Sequence, residues 1–255
     1  MERVLRVNGE DCGVIPADDP GLLLGLTVFE TVRCYDGVPF RLGAHLDRLE
    51  ASVLAMGMPT LERGRVQGEM MAACRDDWRV RYTITAGGAH ILDAAPIDSG
   101  RVGAPITAAR MEWVHPPGLP GFVKHGSRAG WMLTAERLGV DEMILVAADG
   151  GILEANRSTV FAVLDGEIVT PRLEGQILAG VTRGALLEAA RQAGLPCREG
   201  RVDSAGPFDE LYLASTLKEL APVVSLDGVE GPGAGPAGRA LHKAFQELVA
   251  SERCA

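Results

Sequence analysis

Two kinds of hydrophobic spacing organise the first hundred residues. Apolar and polar residues alternate along Val28–Tyr35, Asp36-Gly37 offers a turn, and Pro39–Leu42 continues beyond it, which predicts a hairpin. From Leu42 to Met56 the apolar residues recur at helical spacing instead. The pattern predicts helices at 42–56 and 64–75, and strands at 3–7, 12–15, 28–35, 78–85 and 104–113.

The second half of the chain follows a stretch of three prolines and two glycines at 115–121, which can continue neither a helix nor a central strand. Helices are predicted beyond it at 126–138, 181–194 and 236–251, and strands at 142–147, 152–154, 158–163, 168–170, 197–202 and 210–214. Hairpins mixed with helices indicate an α+β fold rather than a doubly wound parallel sheet. We place the domain boundary at this stretch, which gives domains at 1–114 and 122–255 joined by a linker at 115–121.

Composition narrows the functional class. The 255 residues are 47% hydrophobic and 23% charged, which is typical of a globular protein. The net charge of −9 argues against a nucleic-acid partner or an anionic membrane surface. The N-terminal residues lack the apolar stretch of a signal peptide, and no apolar run approaches the ~18 residues of a spanning helix. A cytoplasmic protein is therefore expected.

Cysteine and histidine residues are scattered. None of the five cysteines is part of a CxxC pair, so reduced thiols are expected, and Cys34 is interpreted as a small buried hydrophobe. The five histidines have no metal-ligand spacing, and no metal site is predicted. A Gly-x-Gly-x-x-Gly motif after a strand is also absent, so no dinucleotide site is indicated.

An amine, a carboxylate and two hydroxyl-bearing turns follow one another at fixed distances. Lys124 follows Phe122 and Val123 at an apolar strand end, where desolvation favours a neutral, nucleophilic amine. Glu154 lies thirty residues further on, in the segment Gly-Ile-Leu-Glu-Ala-Asn-Arg. The turns are Leu-Ala-Gly-Val-Thr-Arg at 178–183 and Ala-Ser-Thr-Leu-Lys-Glu at 214–219. These are the groups needed to hold and tune pyridoxal 5′-phosphate.

Together with Val-Phe-Glu-Thr-Val-Arg at 28–33 and His-Leu-Asp-Arg-Leu at 45–49, this order resembles the class IV aminotransferases, also called fold type IV, from about residue 3 to residue 228. The resemblance implies a pyridoxal-phosphate enzyme with a smaller N-terminal α/β domain and a larger cofactor-binding domain built around a barrel-like sheet. It also implies a small-molecule amino substrate and a homodimeric assembly. It makes Lys124 the catalytic, cofactor-bearing lysine and Glu154 the partner of the pyridine nitrogen.

The resemblance also assigns the phosphate and substrate contacts. Helix N-termini favour phosphate, and the resemblance gives this role to backbone amides after Gly180. The implied phosphate residues are Arg48, Val181, Thr182, Ser215 and Thr216. Each has a structural alternative, namely a surface charge, a helix cap or a polar turn. Phe29, Arg33 and Arg81 lie on strand faces and are candidate substrate contacts. Either arginine could bind a substrate carboxylate, or it could instead pair with an acid nearby.

Several departures from the family pattern bear on the reaction. Thr159 stands where the family has asparagine, Gly25-Leu26-Thr27 replaces the common Gly-Asp-Gly, and His90 lacks the Arg-x-His of the D-amino-acid enzymes. Lys-His-x-x-Arg at 124–128 is similar to the aminodeoxychorismate lyase branch. The sequence therefore favours 4-amino-4-deoxychorismate lyase. An aminotransferase of branched-chain or related amino acids is the alternative, and an inactive scaffold is a third, weaker one.

Overall fold

The computed structural model describes residues 2–253, and its contacts divide the chain into two compact units. Unit 1 comprises the chain up to Asp98 together with Phe122–Arg128. Unit 2 comprises Ser99–Gly121 and the chain from Ala129 onward. Within residues 2–253, no helix has the length and apolar character required to cross a membrane.

Unit 1 contains a five-stranded sheet with helices packed against it. The strands follow the order β1-β5-β4-β2-β3, and neighbouring strands are antiparallel. Its strands are β1 (Val4–Val7), β2 (Thr27–Tyr35), β3 (Val38–Pro39), β4 (Trp78–Thr85) and β5 (His90–Pro96). Its helices are α1 (Pro20–Leu23), α2 (Leu42–Ala55) and α3 (Arg63–Ala73).

Helix α2 covers the sheet through an apolar stripe. Leu46, Leu49 and Val53 share one face because they recur at three- and four-residue spacing, and each is at most 3% exposed. They belong to one core with Val32 of β2 and Trp78 of β4. Burial of each such aliphatic side chain contributes roughly 1.5–3 kcal/mol, so this stripe fixes α2 against the central strands.

Two expectations for unit 1 are wrong. Residues 12–15 form no strand; β1 pairs with β5 instead, in the register Val4 opposite Ala94. Cys34 is fully buried as predicted, but it forms a disulfide with Cys74, with Cα atoms 5.8 Å apart. Forty residues separate the two in sequence, so their spacing gave no sign of the pairing. Cys12 and Cys197 are free thiols, and Cys254 lies outside the described residues.

Unit 2 contains the larger sheet. Its order is β11-β10-β9-β12-β13-β6-β7-β8, and β14 pairs with β13. The strands are β6 (Ile106–Glu112), β7 (Glu142–Val146), β8 (Ile152–Ala155), β9 (Thr159–Leu164), β10 (Glu167–Thr170), β11 (Cys197–Glu199), β12 (Glu210–Ser215), β13 (Glu219–Leu226) and β14 (Val229–Glu230). The helices are α4 (Ala129–Leu138), α5 (Val181–Gln192) and α6 (Pro236–Arg253), and Ser99–Arg101 forms a 3₁₀ turn.

This sheet has to curl. Strand β8 lies at one end of its order and β9 near the other, yet only residues 156–158 connect them. A flat sheet would hold these strands several inter-strand spacings of about 4.8 Å apart, which so short a turn cannot span. Curling brings β8 and β9 together, and Ala155 donates its amide to the Ser158 carbonyl at 2.7 Å across the turn. The predicted α+β class and barrel-like sheet are confirmed.

The contact-based units differ from the domain boundaries expected from the sequence. Strand β6 pairs with β7 and β13, so this segment belongs to unit 2 although it precedes the proline-rich stretch. The segment Phe122–Arg128 follows that stretch but belongs to unit 1. A local composition signal marks where secondary structure breaks, whereas non-local strand pairing decides to which unit a segment belongs.

Candidate active site

Lys124 is attached to the beginning of β2. Its carbonyl accepts the amide of Phe29 at 3.0 Å, and the amide of Gly126 donates to the Thr27 carbonyl at 2.8 Å. From the other side, Ser52 of α2 accepts the Lys124 amide with its hydroxyl oxygen at 3.3 Å. Backbone bonds on both sides of the residue therefore fix the place from which the Lys124 side chain departs.

The unusual Gly25-Leu26-Thr27 turn packs directly against this segment. A β-carbon added to Gly126 would lie 2.0 Å from the Thr27 hydroxyl oxygen, so this close approach requires glycine. The hydroxyl of Ser127 donates to the Gly25 carbonyl at 2.9 Å. The departure from the family turn is thus accommodated by contacts that hold the lysine segment.

Three cationic groups surround the ring of Phe29. The guanidinium carbon of Arg81 lies 3.6 Å from the ring centroid, Lys124 Nζ 5.0 Å and the guanidinium carbon of Arg128 5.4 Å. Phe29 is 2% exposed, so all three charges lie next to a buried aromatic ring. This arrangement, the Phe29 cluster, brings together three of the residues that the sequence places in the site, namely Phe29, Arg81 and Lys124, and adds Arg128.

Arg81 and its neighbour Arg79 have different partners. Arg79 forms an ion pair with Asp93 at 2.9 Å. Arg81 donates to the Thr83 hydroxyl at 3.3 Å and forms no ion pair with any residue between 2 and 253. Burial lowers the pKa of Arg81, against the attraction of Asp93. An arginine that is desolvated in this way, stacked on a ring, is suited to receive an external anion.

Arg33 does not belong to the Phe29 cluster. It shares a strand face with Phe29, as expected, but four residues along a strand correspond to about 13 Å. Its guanidinium forms a two-pronged pair with Asp77, Nε to Oδ1 at 2.9 Å and Nη2 to Oδ2 at 3.0 Å. Arg33 therefore fits the alternative drawn from the sequence, which is pairing with a nearby acid. We do not include Arg33 among the proposed substrate contacts.

Arg48 is held by a buried carboxylate. Its Nε and Nη2 donate to the two oxygens of Glu30, both at 2.7 Å, and His45 Nδ1 lies 2.7 Å from Glu30 Oε2. Glu30 and His45 are at most 1% exposed. His45 and Arg48 are three residues apart on α2, so they face β2 together. The phosphate contact of Arg48 stays a prediction, and Glu30 fixes the orientation of the guanidinium.

Electrostatics keep this network in one protonation state. Burial would raise the pKa of Glu30, but the charge and hydrogen bonds of Arg48, with those of His45, hold it far below its ordinary value. Burial above all lowers the pKa of His45, assisted by the charges of Arg48 and Lys124 and opposed by Glu30. The carboxylate can only accept, so a neutral His45 donates from Nδ1.

Glu154 lies in unit 2, on β8. Its side chain is half-buried, and Oε2 accepts the amide of Leu178 at 3.3 Å. This bond ties the carboxylate to the loop that leads into α5. Glu154 is therefore placed beside the predicted phosphate turn of its own unit.

The beginning of α5 has the features expected of an anion site. Gly180 is the N-cap residue and supplies no side-chain cap, so the first amides of the helix, including those of Val181 and Thr182, have no partner within the helix. A β-carbon on Gly180 would lie 2.9 Å from the Thr159 hydroxyl oxygen. Thr159 thus occupies the family's asparagine position in direct contact with this turn.

The second hydroxyl turn lies beside the same threonine. Ala214 of β12 pairs with Thr159 of β9, and Ser215 and Thr216 follow directly, both half-buried. Lys218 forms an ion pair with the fully buried Glu142 and anchors this turn. In unit 2, Glu154 and Thr159 therefore both approach the segment that leads into α5, and Ser215-Thr216 follows the residue paired with Thr159.

Comparison with known proteins identifies the family. Residues 27–226 match the class IV aminotransferase family. The chain belongs to this family.

Among the relatives of this class IV chain, the branched-chain-amino-acid aminotransferase of Salmonella typhimurium is 29% identical, over 89% of this chain and 85% of that one. The bifunctional aminodeoxychorismate lyase / D-amino acid transaminase of Mycobacterium tuberculosis is 28% identical, over 92% of each. A hypothetical aminotransferase from Mycobacterium tuberculosis, solved in its PLP-bound form, superposes with a TM-score of 0.84 at 25% identity, covering 99% of this chain and 100% of that one.

Family membership confirms the predicted fold type, the enzymatic nature of the chain and its cofactor, pyridoxal 5′-phosphate. The residues present fit this cofactor: an uncapped helix start and a hydroxyl turn offer donors to phosphate, and Glu154 offers a carboxylate to a pyridine nitrogen. Among residues 2–253, no three potential ligand side chains gather as they would around a metal ion.

Sequence reasoning missed several residues of this class IV site. Arg128 was seen only as part of a motif, and its approach to Phe29 depends on how the Lys124 segment pairs with β2. Glu30 and His45 lie within the motifs at 28–33 and 45–49, but the sequence did not connect them to Arg48, which they orient. The sequence did offer one signal of this network, because Glu30 is a carboxylate within a strand that is otherwise largely apolar.

Proposed function

We propose that this class IV chain uses pyridoxal 5′-phosphate for chemistry at the carbon bearing the substrate amine. Lys124 would supply the cofactor-bearing amine, and Glu154 the carboxylate for the ring nitrogen. The strongest support is that Glu154 and Thr159 both approach the segment leading into α5, with Ser215-Thr216 next to the residue paired with Thr159. The phosphate would be held by Val181, Thr182, Ser215, Thr216 and Arg48.

When bound, the cofactor acts as an electron sink for the substrate carbon. The other tasks fall to side chains of this chain. Lys124 Nζ carries the cofactor in the resting enzyme and afterwards takes the proton from the substrate carbon. Its fixed backbone at β2 holds the amine in place for this transfer, and Glu154 holds a proton at the ring nitrogen.

We further propose that the reaction is the conversion of 4-amino-4-deoxychorismate to 4-aminobenzoate and pyruvate. The Lys-His-x-x-Arg segment supports it, since Arg128 lies beside Phe29 as part of the Phe29 cluster. The relative from Mycobacterium tuberculosis with aminodeoxychorismate lyase in its name supports it as well. His90 is not part of an Arg-x-His motif like that of the D-amino-acid enzymes. Its Nδ1 lies 2.9 Å from the Tyr82 hydroxyl instead.

An aminotransferase acting on branched-chain or related amino acids is the second candidate. The 29% identity to the Salmonella typhimurium enzyme favours it. In this case Lys124 would again move the proton from the substrate carbon. The amino group would pass to 2-oxoglutarate, and the substrate would leave as a keto acid. The same side chains serve both reactions up to the loss of the substrate proton.

For the assembly we propose a homodimer in the cytoplasm. Leu22, Leu23 and Leu24 are all more than 60% exposed and form a contiguous apolar run on unit 1. Such runs are uncommon on the surface of monomers and suit a subunit contact. Light scattering coupled to gel filtration measures the mass directly.

The cofactor assignment is tested by reductive trapping. The chain has three lysines, Lys124, Lys218 and Lys243, so peptide mass mapping separates them clearly. Borohydride reduction of the protein loaded with pyridoxal phosphate should place the added mass on Lys124. The variant Lys124→Ala should lose the visible absorbance, while Lys243→Ala, whose side chain is 79% exposed, should keep it. Trapping at another lysine would refute the assignment.

The reaction is tested by products. The holoenzyme is mixed with 4-amino-4-deoxychorismate and 4-aminobenzoate is measured, in parallel with glutamate formation from leucine and 2-oxoglutarate. Production of 4-aminobenzoate without glutamate supports the lyase. Glutamate without 4-aminobenzoate would replace it by the aminotransferase, and loaded protein without either product would support the inactive scaffold.

A further inference from the structure

We propose that the buried ion pair between Glu142 and Lys218 positions the Ser215-Thr216 turn and thereby sets how tightly unit 2 binds the phosphate group of the cofactor. The inference rests on the proposed function, which makes this turn a phosphate contact. Glu142 and Lys218 are positioning residues, because neither belongs to the set proposed to touch the cofactor. They act on the phosphate through the segments that Glu142 holds in place.

Glu142 lies at the beginning of β7 and is fully buried. Its Oε1 accepts hydrogen bonds from the Ser158 hydroxyl at 2.9 Å and from the Lys218 amine. Its Oε2 is buried and accepts no hydrogen bond from residues 2–253. The carboxylate is therefore held through one oxygen, by a side chain of the turn before β9 and a side chain of the turn before β13.

The ion pair resists opening because the carboxylate has no access to water. The side chain of Glu142 is 0% exposed and that of Lys218 20%, whereas exposed ion pairs are weakened by solvent. A buried carboxylate that loses its cation keeps the cost of desolvation without the compensating attraction. Glu142 therefore holds Lys218 at β7.

Lys218 fixes the turn through its backbone as well. Its amide donates to the Ser215 carbonyl at 3.2 Å, which closes the turn, and its carbonyl accepts the Gly103 amide at 2.9 Å. Thr216 lies only two residues before Lys218. Because the side chain, the amide and the carbonyl of Lys218 all have partners, the Ser215-Thr216 turn keeps its place relative to β7.

Ser158 connects the same carboxylate to the other predicted phosphate element. Ser158 is 5% exposed and directly precedes Thr159. The Thr159 hydroxyl oxygen lies against the N-cap of α5, 2.9 Å from the place of a β-carbon on Gly180. Glu142 is thus bonded to a neighbour of each element, the Ser215-Thr216 turn and the start of α5, and determines how the two are placed relative to each other.

This placement matters because a phosphate group has to reach the donors of both elements at once. O–H···O hydrogen bonds span only about 2.5–3.0 Å, and those to a charged acceptor are the strongest. A turn that moves freely has to be ordered when the ligand binds, which lowers the affinity. A turn that Glu142 and Lys218 already hold avoids this loss.

A simple charge effect predicts the opposite sign for one variant. Glu142→Gln removes a negative charge near the proposed phosphate site, which on charge alone would tighten the binding of an anion. If the ion pair positions the turn, the same variant weakens the binding. The double variant Glu142→Gln with Lys218→Met removes the pair without changing the net charge, so it isolates positioning.

The test titrates the full-length chain, freed of cofactor, with pyridoxamine 5′-phosphate and with pyridoxamine in a calorimeter. Neither probe has an aldehyde, so neither forms a bond with Lys124, and the two differ only in the phosphate group. Wild type should bind the phosphorylated probe at least about tenfold tighter. Glu142→Gln and the double variant should each lose at least about tenfold for this probe and less than about threefold for pyridoxamine.

Two controls accompany these variants. Lys243→Met removes a lysine of α6 that is 79% exposed, and the binding of both probes should stay within about twofold of wild type. Lys218→Arg keeps the ion pair, so it should bind the phosphorylated probe more tightly than Lys218→Met does. Where a single variant does not fold, the double variant decides, because it leaves no uncompensated buried charge.

The inference is overturned if Glu142→Gln binds pyridoxamine 5′-phosphate as tightly as wild type or more tightly. Equal losses for the two probes would overturn it as well, since they would indicate a general loss of structure. Failure of the proposed function appears elsewhere, as cofactor that is not trapped on Lys124. A protein that traps the cofactor there, while Glu142→Gln binds the phosphorylated probe like wild type, keeps the proposed function and loses this inference.

Discussion

The Glu30 carboxylate makes a strong prediction about stability. Glu30→Gln keeps the shape of the side chain and removes its charge, which leaves Arg48 facing a neutral amide. Arg48 is 10% exposed and Glu30 1%, so little water is available to compensate. We expect the local structure that joins β2 to α2 to be destabilised more than any surface ion pair would suggest.

The magnitude follows from burial. Removing one partner of a buried ion pair costs about 3–5 kcal/mol, because the other charge remains desolvated. The same helix offers a matched control in Asp47, which pairs with Arg63 at 2.7 Å but is 70% exposed. An exposed pair of this kind contributes about 0–1 kcal/mol, so Asp47→Asn should be nearly neutral.

Hydrogen exchange followed by mass spectrometry is the suitable assay, because the two units could unfold separately and a single melting curve would mix them. Peptides from α2 and β2 of Glu30→Gln should exchange at least about a hundredfold faster, the equivalent of about 3 kcal/mol. Peptides from unit 2 should be unchanged. Removing both charges, in Glu30→Gln with Arg48→Gln, should restore part of the protection.

The reasoning would be refuted by Glu30→Gln and Asp47→Asn exchanging at the same rate. It would equally be refuted if the double variant were less protected than Glu30→Gln alone, since the cost would then come from lost shape and not from an uncompensated charge.

Two further predictions concern pH and packing. Burial lowers the pKa of His45 below its ordinary 6.5, so the unfolded chain binds the proton more readily than the folded one. The free energy of unfolding should therefore fall as the pH drops below 6.5, by at most about 1.4 kcal/mol per pH unit. Urea midpoints at pH 7.5 and 5.5 should differ less in His45→Gln than in wild type. Gly238→Ala should destabilise by about 1–3 kcal/mol, because the new β-carbon would lie 2.0 Å from Cζ of Tyr212, whereas Gly184→Ala, exposed and without neighbours within 4 Å, should stabilise by about 0.5–1 kcal/mol in the same urea titration.

The elements predicted most accurately are those whose pattern is local. The spacing predicts α2 at 42–56 and the structure has Leu42–Ala55; it predicts β4 at 78–85, and the bounds agree. Periodicity reports which face of an element is buried, and this is decided within a few turns of chain. Strand β13 was missed, because Glu219–Leu226 is interrupted by a proline and shows no clear alternation.

The errors concern distance between residues that are far apart in sequence. The alternating pattern correctly predicts that Arg33 and Phe29 share a strand face. It does not predict which acid pairs with Arg33. That acid is Asp77, which is 44 residues away in the sequence. The disulfide of Cys34 with Cys74 depends on the same kind of placement. In each case the pattern placed the residue on a buried strand, whereas its partner could be identified only from the folded structure.

The position of the lysine segment shows why the proline-rich stretch is a poor guide to the site. The stretch ends at Gly121 in unit 2, and Phe122–Arg128 immediately returns to unit 1. Hydrogen bonds to Thr27 and Phe29, and the requirement for glycine at 126, fix Lys124 there. Lys124 and Arg128 are thus held by the strand that carries Phe29, and Arg81 lies on the neighbouring strand β4. Substitutions at Thr27 or Gly126 should therefore move the amine more than substitutions between 115 and 121, although those are closer to the boundary that the sequence suggests.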